Sequence, residues 1–230
     1  LLEKDSDPYN RWDAAQQLML TSFEKIAIKD GEPSNDLIDA FCNVMQDKKL
    51  MPAFRAQLLS QPSISEIITH FFERNLEIDP LQIYRAKKLF TKKLAEASNS
   101  FLEQLFHSLA QNFEYEPSAS QSGERSLKNI LLGLLTRLDN GESAKKQYSH
   151  ADNMTEEIAA LSILIQNDMA LKEIENFYAK WSDDRLVIDK WFLLQTSLSQ
   201  PSKSLKITKT LTDHCDFNEK NPNRFRATIG

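Results

Sequence analysis

Apolar residues recur at helical spacing along almost the whole chain. Leu127, Ile130, Leu131, Leu134, Leu135 and Leu138 form an i, i+3, i+4, i+7 stripe. Phe101, Leu102, Leu105, Phe106 and Leu109 make a second, and Ile64, Ile67, Ile68, Phe71 and Phe72 a third. Ile174, Phe177, Tyr178 and Trp181 extend the pattern toward the end. No run of period-two alternation flanks a hairpin turn. Glycine tells the same story: the 230 residues hold only 5, against a usual share of about 7%. Hairpin turns often need glycine and helices tolerate it poorly. The chain is therefore expected to be all-α.

Turn-forming residues fall between the stripes. Gly31–Glu32–Pro33–Ser34 separates the first two helices, and Pro52 and Pro62 open or precede short ones. Asp79–Pro80 starts the helix that carries Ile83, Ala86, Phe90 and Leu94. Asn153 stands three residues before Glu156, a capping-box-like start. Asp183 is expected to cap the helix of Trp191 and Phe192, and Pro201–Ser202 precedes the last long one. Glu114–Glu124, EYEPSASQSGE, lacks apolar anchors and is expected to be a mobile internal loop. The count is roughly a dozen helices of about 8–18 residues. Short connections make neighbours antiparallel, and stacked pairs build a superhelix. The expected architecture is an irregular armadillo/HEAT-like superhelix forming one helical-repeat domain over residues 1–230.

The net charge of −5 and scattered Lys and Arg argue against a nucleic-acid partner. No apolar run approaches the ~20 residues of a membrane span, so no membrane partner is expected. LLEKDSDPYN has no basic segment followed by a long apolar one and does not read as a signal peptide. Cys42 and Cys215 are far apart and read as two separate small thiols. The histidines are His70, His107, His150 and His214, none with another within a helical turn. HExxH is therefore absent, and each histidine reads as structural. No nucleophile elbow, P-loop or dinucleotide-binding turn is present. Asp183–Asp184 and Glu156–Glu157 sit at helix starts, where they complement the helix dipole. Trp12, Trp181 and Trp191 read as core anchors. Taken alone, these residues specify a soluble helical domain and no chemistry.

Four blocks go further. They are DSDPYNRWDAAQ (Asp5–Gln16), ADNMTEEIAALS (Ala151–Ser162), WSDDRLVIDKWFLLQ (Trp181–Gln195) and NPNRFRATIG (Asn221–Gly230). Their order and spacing resemble the C-terminal helical domain of bacterial aminopeptidase N, a zinc-dependent gluzincin metallopeptidase. In that family a β-domain, a thermolysin-like zinc domain and a small β-sandwich precede the helical part. The resemblance implies a non-catalytic domain that encloses the active site of an enzyme removing N-terminal amino acids from peptides. Zinc would belong to the parent and none to this fragment, and no catalytic or metal-binding residue is expected here. The implied partners are the catalytic and β-domains of the same parent chain and its peptide substrate, in the bacterial cytoplasm.

The second Arg of NPNR-x-R, Arg226, resembles a position facing the substrate cavity. There its guanidinium would hold a peptide carboxylate or carbonyl; the alternative is that Arg226 only caps or pairs within the superhelix. Arg11 and Trp12, in the NRW block, are candidates for the interface with the preceding β-domain, with core packing the equal alternative. The chain stops on the fourth block, where the family's domain continues, so the resemblance implies truncation before a natural end. An apolar patch near Thr208–Phe217, and self-association through it, are expected in consequence. The reading from a different class is a free-standing helical scaffold that binds a protein partner.

Overall fold

The computed structural model describes residues 1–109 and 115–230. Among the described residues there are twelve helices and no strand. The chain divides into two compact units, Leu1–Leu138 and Asp139–Gly230.

The first unit holds α1 (Pro8–Lys29), α2 (Asn35–Gln46), α3 (Pro52–Leu59), α4 (Ile64–Glu73), α5 (Pro80–Ser108) and α6 (Ala119–Leu135). Its starts follow local chemistry. Asp7 and Asp79 accept backbone N–H bonds from the first turns of α1 and α5, each with Pro at the next position. Ser63 and Glu66 form a reciprocal capping box at α4. Helices α1 and α5 pack together, with α2, α3 and α4 against them and α6 against α3 and α5. Phe90 meets Phe23 edge-on at 5.5 Å and Phe41 at 5.7 Å. Each such pair adds about 1 kcal/mol beyond burial.

Two expectations change here. Helix α5 is 29 residues long, because the Ile83–Leu94 and Phe101–Leu109 stripes are one helix. Nothing between them breaks it, and buried Ser98 donates back to Leu94 O at 2.8 Å. The segment Glu114–Glu124, expected to be a loop, is helical from Ala119 onward, with Ser118 as its cap. Glu114 itself lies outside the described residues. Gly123 does not end this helix. A Cβ there would lie 2.9 Å from Ala53 Cβ, so glycine serves the close approach of α6 to α3.

The second unit holds α7 (Glu142–His150), α8 (Met154–Gln166), α9 (Leu171–Trp181), α10 (Arg185–Leu198), α11 (Pro201–Thr212) and α12 (Pro222–Ile229). Helix α10 is its hub, packing on α8, α9, α11 and α12. Asn153 caps α8 by accepting from Glu156 N. Asp184, not Asp183, caps α10, taking the amides of Leu186 and Val187 at 3.0 and 3.2 Å. The shift of one residue follows from the end of α9, where Asp184 N donates to Trp181 O and Asp183 is spent in the turn.

The shortage of glycine has a compensation. Among the described residues with positive φ, only Gly141 is glycine; the others are Asp30, Asn75, Asn140 and Asp168. Asn and Asp are the side chains that best tolerate the left-handed region.

Candidate functional site

The fourth block builds α12. Asn221 Oδ1 accepts from the amides of Asn223 and Arg224, and Pro222 occupies the first turn. Arg224 is buried, at 5% exposure. Its Nε donates to Asp189 Oδ1 at 2.6 Å, its Nη2 to Arg185 O at 3.4 Å, and its Nη1 to Asp216 O. The guanidinium stacks 4.7 Å from the ring centre of Phe192. Asp189 and Phe192 belong to the DKWF block, so two sequence blocks meet in one ion pair. Trp191 of the same block donates from Nε1 to Ile174 O at 2.9 Å.

The other two blocks also make structural joints. Glu157, in the NMT block, is 4% exposed. It accepts from Lys180 Nζ at 3.0 Å and from Trp181 Nε1 at 3.4 Å. In the first unit, Arg11 is buried and its Nε donates to Leu2 O at 2.8 Å, with Phe54 5.9 Å beneath it. Trp12 is half-buried beside exposed Tyr9, 5.9 Å away. Of the three tryptophans expected as core anchors, Trp191 is buried, while Trp12 and Trp181 are half-buried.

Arg226 behaves differently from Arg224. Two residues along a helix turn the side chain by about 200°. Arg226 is accordingly exposed, and its side chain has no hydrogen bond or ion pair among the described residues. It is a free cation on the face of α12 opposite the clasp.

The expected apolar patch at Thr208–Phe217 is not there. Leu211 is buried and Phe217 half-buried. The large exposed apolar side chains near the end of the chain are instead Leu205, Phe225 and Ile229. Leu211 turns inward because α11 packs on α10 and α12.

The histidines described do not form a catalytic metal centre of the HExxH kind. His70 Nε2 meets Glu24 Oε2 at 3.0 Å, and His107 Nε2 lies 3.8 Å from Glu103. His150 Nδ1 faces Lys146 O at 2.8 Å. The second unit does contain a cluster that reading the histidines singly overlooks: His214, Cys215 and Asp216, whose ligand atoms lie within 4.8 Å of one another. The contiguous His-Cys-Asp triplet was visible in the sequence, but its convergence was not.

Residues 1–230 match, in full, the model of the family described as a domain of unknown function, DUF3458_C, ARM repeats. The chain belongs to this family. Its whole length is also similar to aminopeptidase N of Escherichia coli at 31% identity, of Caulobacter vibrioides at 30% and of Haemophilus influenzae at 29%. The ARM-repeat chain spans 27% of the length of each of these relatives. Its fold matches the crystal structure of Legionella pneumophila aminopeptidase A in complex with aspartic acid, with a TM-score of 0.84 and 25% identity. That match covers 98% of this chain and 28% of the other. The resemblance to bacterial aminopeptidase N read from the four blocks therefore holds along the whole ARM-repeat chain. No helix among the described residues is long and apolar enough to cross a membrane.

Proposed function

We propose that this chain is the non-catalytic C-terminal domain of a zinc-dependent aminopeptidase that removes N-terminal amino acids from peptides in the bacterial cytoplasm. The observation that carries the reading is the coverage. The whole of this chain aligns with 27% of each aminopeptidase N, and 98% of it with 28% of the aminopeptidase A structure. A single family match also runs through both compact units, which supports treating residues 1–230 as one domain. The described residues offer no HExxH pair for a catalytic zinc, so the hydrolytic chemistry belongs to residues outside this chain. Its own contribution is enclosure. It walls the active site from bulk water and restricts entry to short peptides or unfolded N-termini. To Arg226, an exposed cation, we assign the holding of a carboxylate or carbonyl of the enclosed peptide. Half-buried Trp12, beside exposed Tyr9, is the interface candidate toward the β-domain of the parent, whereas buried Arg11, bonded to Leu2 O, serves packing within this chain.

The test is hydrolysis of an alanyl chromogenic substrate by the full gene product and by this chain alone, each with and without a zinc chelator. Activity confined to the full product and lost on chelation is expected. No activity in either sample would overturn the reading in favour of a helical scaffold for a protein partner. Activity in this chain alone would overturn its non-catalytic role.

A further inference from the structure

We propose that His214, Cys215 and Asp216 form a binding site for a divalent transition-metal ion of the zinc class. The three residues occupy the turn that follows α11. The turn is fixed at several points. His214 N donates to Leu211 O, Phe217 N donates to His214 O, and Arg224 Nη1 donates to Asp216 O from α12. Asp189 neutralises that guanidinium at 2.6 Å, which limits its repulsion of an incoming cation.

Each ligand is oriented for the task. The His214 ring is held by Tyr178, Trp191 and Phe192, with ring centres at 5.0, 5.1 and 5.7 Å. Its Nδ1 accepts the Asp216 amide at 3.2 Å and is therefore the ring nitrogen without a proton; a metal bound there would take the place of that amide hydrogen bond. Cys215 is exposed, and its Sγ lies 3.9 Å from the same Nδ1. With zinc bonds of ~2.3 Å to sulfur and ~2.0 Å to nitrogen, that separation corresponds to an S–Zn–N angle of about 130°, and an approach of the two atoms to ~3.5 Å would make it tetrahedral. Tyr178 Oη donates to Asp216 Oδ2 at 2.6 Å, the supporting bond that ligating carboxylates characteristically receive. Thiolate, imidazole and carboxylate together favour zinc, cobalt or cadmium over calcium or magnesium. The site is open to solvent on the Cys215 side, which leaves water the remaining position.

The experiment titrates Co²⁺ into the full-length protein and into its Cys215→Ser variant. Every metal site that the two share cancels in the difference spectrum. A near-ultraviolet thiolate-to-cobalt band that saturates at one ion per chain, is absent from Cys215→Ser and is displaced by zinc is expected. Tyr178→Phe should weaken binding by roughly 10-fold or more while keeping the band. No band at millimolar cobalt, or one that survives Cys215→Ser, overturns the proposal. Because Cys215 is exposed, circular dichroism should show both proteins equally helical.

Discussion

Buried Arg224 and half-buried Asp189, 35 residues apart, form an ion pair at 2.6 Å that joins α12 to α10. Three further groups complete it: the Asp216 and Arg185 carbonyls and the Phe192 ring. Removing Arg224 leaves the Asp189 carboxylate only partly hydrated and opens a gap beside Phe192. Arg224→Ala should therefore cost about 3 kcal/mol, read from the urea midpoint at constant slope. Arg224→Lys should recover less than half, because an ammonium cannot reproduce the planar fork. A loss under about 1 kcal/mol for the alanine variant would mean that α12 does not depend on this clasp.

Arg226 supplies the contrast. Arg226→Ala should leave stability within about 0.5 kcal/mol, as for other exposed substitutions. In the aminopeptidase proposed for the full-length protein it should raise KM for peptides of several residues about 10-fold, the worth of one charged hydrogen bond. Hydrolysis of a single aminoacyl chromogenic substrate should be unchanged. Equal effects on both substrates would remove Arg226 from peptide binding.

Gly123 is placed by its closeness to Ala53. Gly123→Ala would gain about 1 kcal/mol of helix propensity in an isolated helix. Here the added methyl meets both the side chain and the backbone of Ala53, and overpacking costs about 1–3 kcal/mol. A lower melting temperature is expected, partly restored by the second change Ala53→Gly. A rise in melting temperature for the single variant would show that α3 and α6 separate freely.

Cys42 and Cys215 should differ sharply. Burial, assisted by Asp39, pushes the Cys42 thiol up to about 11 from 9.0. The folded thiol thus keeps its proton while the unfolded one ionises first. Its stabilising contribution is full below pH 9 and is lost as the pH rises toward 11. Urea midpoints should accordingly fall more steeply between those values in the native protein than in Cys42→Ala. At pH 8 a thiol reagent should modify Cys215 and spare Cys42 until the chain unfolds. Parallel pH profiles for the two proteins would contradict this assignment.

The sequence by itself determined the helices, most of their starts and the family. Asp7–Pro8, Ser63…Glu66, Asp79–Pro80 and Asn221–Pro222 act within one turn, so their outcome is written locally. The four blocks were equally legible, but their physical role was not. Only the tertiary structure shows Asp189 and Phe192 meeting Arg224, and Glu157 meeting Lys180 and Trp181. It alone separates buried Arg224 from free Arg226, since helix phase is fixed by what α12 packs against. It also makes α5 continuous, gives Gly123 to a helix contact and turns Leu211 inward. The same holds for His214, whose ring orientation comes from aromatic side chains on α9 and α10. Such outcomes depend on residues tens of positions away, and no local pattern encodes which of several apolar faces a helix will bury.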